Sequence, residues 1–448
     1  MADIQIGSKW PSKPLGELCE VIAGQSPPSS AYNDVGEGLP FYQGKADFGR
    51  DVPVVRKWCT RPTKLAREGD ILVSVRAPVG PSNFATEECV IGRGLAALRA
   101  GKDLDGRWLR YWITHTQDQL RAHATGTTFE AISTGVLRKH QCPAPTIETQ
   151  RRIVARIDEL FAELDDGELA LTRARSELET YRKALLKAAV TGELTADWRA
   201  ANPTKETGAD LLQRILTERR ERWAQRDGAS KKTAKRNTTP LDQKGELAFD
   251  FPDHWACAAI GQLGEIITGS TPATDRPDYY GGDVPFFTPG DLDCESARTT
   301  KRTLTEAGAN SVRRVPAGSV LVTCIGATIG KLAVAGKSGA TNQQINSVVP
   351  AKPILTDWIQ AFLSSPCGQR EIIDGSSSTT MPILNKGDFS RLPIPVPPLA
   401  EIREICAILS NRLDERHELN DAVNDLQTEP AGLRQSILAA AFRGDLVQ

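Results

Sequence analysis

The residues that come nearest to doing chemistry in this chain fall short of it. A phosphate cradle needs glycines spaced so that backbone N–H groups can wrap the phosphates, followed by Lys and a Ser or Thr hydroxyl. The segment GATIGKL (326–332) is one residue too short between its glycines and carries Leu332 where the hydroxyl belongs. GRGLAA (92–97) fits the dinucleotide pattern G-x-G-x-x-A but opens no clear helix. An acidic-x-Lys step of the kind found in nuclease cores, Asp242 to Lys244, falls in a polar stretch, and the Asn/Asp-Pro-Pro-aromatic tetrapeptide of DNA amino-methyltransferases is absent. None of the five histidines stands at i, i+4 beside a neighbouring Glu, so no metal site is expected. The nine cysteines, scattered from Cys19 to Cys406 without a C-x-x-C pair, read as free thiols of a reducing cytoplasm. No catalytic constellation emerges.

The elements that would position any site must therefore carry the argument. At 448 residues the chain is long enough for two to four domains, and 40% hydrophobic with 25% charged residues is ordinary globular composition. No apolar run reaches the ~20 residues of a membrane span, and MADIQIGSKWPSK lacks the basic-then-apolar layout of a secretory signal. A net charge of −1 excludes a globally basic polyanion binder, so positive surface must be local. Residues 298–337 hold Arg298, Lys301, Arg302, Arg313, Arg314, Lys331 and Lys337 against Glu306 alone. Residues 45–76 set Lys45, Arg50, Arg56, Lys57, Arg61, Lys64, Arg67 and Arg76 against Asp47, Asp51, Glu68 and Asp70.

The chain is written twice. PLGELCEVIAGQSP (14–27) returns as AIGQLGEIITGSTP (259–272), shifted by 245, and EGDILVSVRAPVG (68–80) returns as AGSVLVTCIGATIG (317–330) with one inserted residue. TTFEAISTGVLRKHQCPAPTIETQRRI (127–153) matches TTMPILNKGDFSRLPIPVPPLAEIREI (379–405), and LLKAAVTGEL (185–194) matches ILAAAFRGDL (437–446), both shifted by 252. Each copy opens with a Gly- and Pro-rich mixed α/β globule, 1–147 and 246–397, in which DILVSV and SVLVTCI read as strands. Segments 107–124 and 357–373 read as helices.

Each globule is followed by a heptad helix. Ile153, Ile157, Leu160, Leu164, Leu171, Leu178 and Leu185 form a seam along 148–190, about 65 Å at ~1.5 Å per residue. In the C-terminal region 398–448, Ile405, Leu409, Leu419, Val423, Leu426, Leu433 and Ile437 keep the spacing. Arg412 and Arg416 interrupt that seam, and Pro430 should kink or restart the helix. Two such helices in one chain are expected to pack on each other. The central region 148–245 also contains a second helix, 207–226, opening with a Thr207–Asp210 capping-box pattern, and a polar linker, 227–245.

These residues carry a resemblance. DILVSVRAPVGPSNFATEECVIGRGLAAL, then GTTFEAIS and a proline-rich exit into ETQRRIVARIDELFAELD, resemble the first half of type I restriction-modification specificity (S) subunits, the HsdS family. GSTP, SVLVTCIGATIG, ATNQQ and RLPIPVPPLAEIREI, ending in LRQSILAAAFRGDLV, resemble the second half. The resemblance implies an α+β fold: two α/β target-recognition domains in pseudo-twofold tandem repeat, separated by two long antiparallel coiled-coil helices. It further implies that each globule reads half of a split site in double-stranded DNA, that the helices set the gap, and that two methyltransferase and two motor-nuclease subunits dock. S-adenosylmethionine, ATP and magnesium would bind those partners, leaving this chain non-catalytic, cytoplasmic and without a membrane.

Under that reading, base edges would be read by Arg, Lys, Asn and Gln side chains. The candidates are Gln43, Lys45, Arg76 and Arg93 in the first globule, and Thr288, Lys331, Asn342, Gln343 and Gln344 in the second. The repeat sets Arg93 opposite Gln344. Asn342 and Gln343 serve equally as turn caps, and Gly24 with Pro27, like Gly269 with Pro272, as turn formers. A stand-alone duplicated DNA-binding or regulatory protein, or the reader of a related phage-defence system, remains an alternative.

Overall fold

The fold is taken from a computed structural model, which describes residues 9–125, 130–225, 247–292, 296–297, 299–377, 381–427 and 430–446. The linker 227–245, with Asp242 and Lys244, lies outside the described residues, as does Arg298. Contacts gather the chain into two compact units, Met1–Arg173 with Val423–Gln448, and Ala174–Ala422.

In the first unit, strands Cys19–Ala23, Leu95–Ala100, Ile71–Ser74 and Ser82–Phe84 form an antiparallel sheet in that order. Within DILVSV the successive residues Ile71, Leu72 and Val73 are all apolar because this sheet is covered on both faces. Ile71, Val73, Ala96 and Leu98 cluster with Trp108, Leu109 and Trp112 of helix Gly106–His115, whereas Leu72, Leu95 and Ala97 face Tyr42 and Ile91. Those two belong to a second sheet, ordered Tyr32–Asn33, Trp58–Cys59, Leu39–Tyr42, Cys89–Ile91, Leu65–Ala66. The layers are therefore helix, sheet, sheet. The helix predicted over 107–124 breaks at Thr116, whose buried hydroxyl donates to Trp112 O at 2.8 Å, and resumes over Gln117–Ala122.

The second unit repeats this plan. Gly264–Thr268, Ile345–Pro350, Val320–Thr323 and Leu332–Ala335 form the equivalent sheet, with Ser296–Ala297 added parallel at its edge. Val320, Val322 and Val348 lie in the cluster of Leu355, Trp358, Ile359 and Phe362, while Leu321, Ala333 and Ile345 face Phe287. Segment 357–373 splits into Ile354–Ser364 and Pro366–Asp374 at Ser365-Pro366. Each globule closes on a two-stranded pair, Ser12–Pro14 with Gln141–Pro143 and Ala256–Ala259 with Pro393–Val396. A buried tryptophan checks each closure: Trp108 Nε1 donates to Pro143 O at 3.0 Å, and Trp358 Nε1 to Pro395 O at 2.8 Å.

The first arm is one helix, Ile147–Thr191; the second is Leu399–Gln427 and then Pro430–Arg443, restarting with proline at its first position. Within each unit the arms run antiparallel. In the first, Arg434 pairs with Asp165 and Glu168 at 2.6 and 3.0 Å, while Phe442 shares a core with Ile153 and Ile157. In the second, Arg416 meets Glu179 at 3.2 Å, and Ile405 and Leu409 share a core with Leu185 and Leu186.

The seam of the first arm is buried at Ile153, Ile157 and Leu185 and half-buried at Leu160, Leu164, Leu171 and Leu178. In the second arm Ile405 and Leu409 are buried, and Val423 and Ile437 half-buried. Leu419, Leu426 and Leu433, placed in the seam by strict heptads, are instead 57%, 56% and 45% exposed. The inward positions are Leu413, Arg416, Asn420 and Val423. A nearly straight helix advances every 3.6 residues, not 3.5, so the buried stripe drifts off a fixed seven-residue repeat.

The start of each arm is tied to its globule by a buried polar side chain. Gln150 accepts from Asp105 N at 2.8 Å and donates to Asp103 O and Pro145 O. Glu401, 1% exposed, accepts from Thr195 Oγ1 (2.8 Å), Arg199 (2.5 Å), His254 Nε2 (3.0 Å) and Trp255 Nε1 (2.8 Å). The inserted helix Gly208–Ala224 starts with a reciprocal cap, Thr207 N to Asp210 at 2.9 Å and Asp210 N to Thr207 Oγ1 at 3.2 Å. It buries Leu211 and Ile215 against Trp255 and Ile260, so it belongs to the core of the second unit.

Candidate nucleic-acid interface

In each unit, three loops meet at one end of the central sheet, held by the same backbone bonds. In the first unit, Gly92 N donates to Tyr42 O (2.8 Å), Gln25 N to Ile91 O (2.9 Å) and Val75 N to Gly94 O (3.0 Å). In the second, Asn342 N donates to Phe287 O (3.1 Å), Ser270 N to Thr341 O (2.9 Å) and Cys324 N to Gln344 O (2.7 Å). These bonds equate Gly92 with Asn342 and Gly94 with Gln344, so Arg93 stands opposite Gln343. The expected pairing of Arg93 with Gln344 is corrected by one residue, because the shift between copies is 250 here.

Close backbone approach explains the glycines. A Cβ on Gly24 would stand 2.2 Å from Gly92 O, and one on Gly269 only 2.1 Å from Asn342 O. At Gly94 a Cβ would meet Gln43 O at 2.2 Å. The apparent dinucleotide motif GRGLAA is thus a crossing of two loops followed by strand Leu95–Ala100, not the mouth of a helix.

The candidates divide sharply. Gln43, Lys45, Arg76 and Arg93 are all exposed, on loops that the crossing gathers together. Lys331 and Gln343 are exposed as well. Thr288 is half-buried and caps a short turn, its hydroxyl donating to Asp291 at 2.6 Å. Asn342 is buried; its Oδ1 accepts from Gln344 N at 3.1 Å and its Nδ2 donates to Gln344 Oε1 at 3.0 Å. Asn342 and Gln344 therefore shape the loop, and Gln343 is what the loop presents.

The basic stretches thin out in the same way. Arg50 is committed to Asp165, Arg314 to Glu306 at 2.9 Å, and Arg313 to Thr268 O at 3.2 Å. Arg302 lies over the Tyr280 ring at 4.9 Å. Among the described contacts, the side chains of Arg76, Arg93, Lys301, Lys331 and Lys337 have no ion pair or hydrogen bond, which leaves them available to an anionic ligand.

Two residues escaped the sequence reading. Ser26 Oγ accepts from Arg93 N at 3.2 Å, and at the equivalent place Thr271 Oγ1 donates to Gln343 Oε1 at 2.6 Å. The hydroxyl before proline recurs in GQSP and GSTP, a signal the repeat already contained. Among the described residues no group of three or more His, Cys, Asp or Glu is arranged to hold a metal ion, and no helix is long and apolar enough to cross a membrane.

Two copies of one three-layered globule, each with a helical arm and a loop end presenting Arg, Lys and Gln, define a duplicated binding protein. Residues 7–172 and 252–426 match the type I restriction modification DNA specificity domain. The chain belongs to that family and has the duplicated build of a type I DNA specificity subunit. It is 34% identical over 193 residues to the putative type I restriction enzyme MjaX specificity subunit of Methanocaldococcus jannaschii, a match spanning 42% of this chain and 44% of that one. It is 22% identical over 443 residues to the EcoDI specificity subunit of Escherichia coli, covering 98% of this chain and 88% of that one. The same fold is found in the HsdS subunit from Thermoanaerobacter tengcongensis, with TM-score 0.55, 19% identity and 97% of each chain covered. A chain of a type I R-M system solved for its complex assembly and conformational transition aligns with TM-score 0.68 and 20% identity, covering 97% of this chain and 98% of that one.

Proposed function

We propose that this chain reads a split DNA target for a type I restriction-modification complex, each unit binding one half-site and the paired arms setting the unread gap. The observation that carries the reading is the loop crossing. The same backbone bonds recur in both units, yet the exposed side chains differ, as expected of one reader adapted to two sequences. The chain then does no chemistry itself. Two methyltransferase subunits dock on its helical regions and supply S-adenosylmethionine and methyl transfer, two motor-nuclease subunits bring ATP and magnesium, and the complex works in the cytoplasm.

Lys331, Lys301 and Lys337 suit phosphate contact, since a point charge neutralises phosphate without reading sequence. Gln43, Arg76, Arg93 and Gln343 suit base edges. The test is to co-express the chain with the methyltransferase of its own system and sequence the methylated positions. A two-part motif with a fixed gap is the expected result; no motif, or a continuous one, would remove the reading. Methyl transfer or nuclease activity by the purified chain alone would remove the non-catalytic role.

A further inference from the structure

Resting on the reading of each unit as a half-site reader, we infer that positions 93 and 343 are one base-reading position written twice, Arg93 recognising a guanine and Gln343 an adenine. The backbone bonds from Gly92 and Asn342 to the same strand end, and from Val75 and Cys324 to the residue after, put both positions at the crest of the same loop. Both residues are exposed; Arg93 stands between two glycines, and the neighbours of Gln343, Asn342 and Gln344, bond each other. Both are braced by a hydroxyl from the same second loop, Ser26 and Thr271.

The bracing differs in a way that fits the two bases. Ser26 holds only the backbone N–H of Arg93, so the guanidinium fork keeps all its donors for the O6 and N7 acceptors of guanine. Thr271 donates to one lone pair of Gln343 Oε1 and so tethers the amide at the crest of the loop. A second lone pair and both Nε2 hydrogens remain, the acceptor–donor pair that matches N6–H and N7 of adenine. A surface amide with no such tether would lose more side-chain entropy on reaching the same geometry.

The experiment uses the chain in complex with its methyltransferase and reads the modified motif genome-wide for R93Q and Q343R. R93Q should change one position of one half-site from G·C toward A·T, leaving the gap and the other half-site alone. Q343R should make the converse change in the other half-site. T271V should weaken discrimination at the Gln343 position only. A bidentate contact discriminates by roughly 5- to 150-fold, and the preference at that position should fall or invert by that much. Unchanged motifs in both R93Q and Q343R overturn the inference. Where methylation is lost, binding to duplexes altered one base pair at a time gives the same reading: a loss confined to one position supports it, and a loss spread evenly over all sequences marks phosphate contacts and overturns it. A wild-type complex with no two-part motif is a separate outcome, in which the half-site reading itself fails.

Discussion

Arg416 donates Nε to Leu178 O and Nη2 to the Glu179 carboxylate, each at 3.2 Å. The heptad pattern marks Arg416 as an interruption of the seam, yet it is an inward position, its stem lying between the arms while its head bonds the opposite helix. Arg416→Ala should destabilise the second unit by about 1–3 kcal/mol, through the two charge-assisted bonds and the packed stem it removes. Glu179→Ala, at a more exposed carboxylate, should cost under about 1 kcal/mol. Thermal unfolding of the two variants distinguishes them; equal losses would mean that the carbonyl bond contributes nothing.

Glu401 gathers four donors from two separate stretches of chain, Thr195 with Arg199 and His254 with Trp255. Burial would raise its pKa, but the bonds from His254, Trp255, Thr195 and Arg199 outweigh that and hold it below the usual carboxylate value. Removing the carboxylate leaves Arg199 without its partner, so Glu401→Ala should destabilise the second unit by about 3–5 kcal/mol. Glu401→Gln, which keeps an acceptor, should recover part of the loss. Protease cleavage in the insertion near Thr195 should rise in Glu401→Ala; a resistance equal to wild type would show that the clasp does not hold this segment.

His140 packs beside Thr116, with Nε2 and Oγ1 2.8 Å apart, and burial lowers its pKa to about 4. The folded chain therefore keeps it neutral, while the unfolded chain protonates it near pH 6.5. Stability from this group is full above pH 6.5 and is lost as pH falls toward 4, at most about 3 kcal/mol. Melting temperature followed from pH 7 to pH 4 should fall less steeply in His140→Gln than in wild type. Parallel slopes would remove His140 as a source of acid sensitivity.

The arms offer a length test. Deleting residues 168–174 and 420–426 removes one heptad from equivalent places in each arm. Seven residues span about 10 Å of helix and turn the packing face by only ~20°. At about 34–36 Å per DNA turn, the unread gap should shorten by roughly three base pairs. Methylation of substrates with half-sites at graded spacings reads this directly, and an unchanged preferred gap would show that the arms do not measure it.

Much of this architecture was legible in the residues. DILVSV and SVLVTCI read as strands and form Ile71–Ser74 and Val320–Thr323, and Thr207 with Asp210 announces a cap that forms as written. The misreadings share a cause, which is that sequence spacing does not track geometry to within one residue. The shift between copies runs from 245 at Gln25 to 250 at Gly92, so spacing alone sets Arg93 opposite Gln344, whereas the loop places it opposite Gln343. The seam slipped from Asn420 to Leu419 because heptads and real helices drift apart. Glu401 was invisible for another reason: its donors lie 146 to 206 residues away, and no local pattern announces them.

The core of the first unit has a consequence for how the protein is made. Trp108 and Trp112 stack edge-on against Phe442 at 4.6 and 4.8 Å, with Leu438 and Ala441 in the same cluster. A ribosome delivers those three residues some 330 positions after the tryptophans. Until then the nascent first globule carries an uncovered aromatic face, while the second copy is translated behind it with its own sheet of the same plan. The half that is synthesised first is finished last, and a stop codon before Leu438 would leave that earlier half, not the later one, with its hydrophobic core open to water.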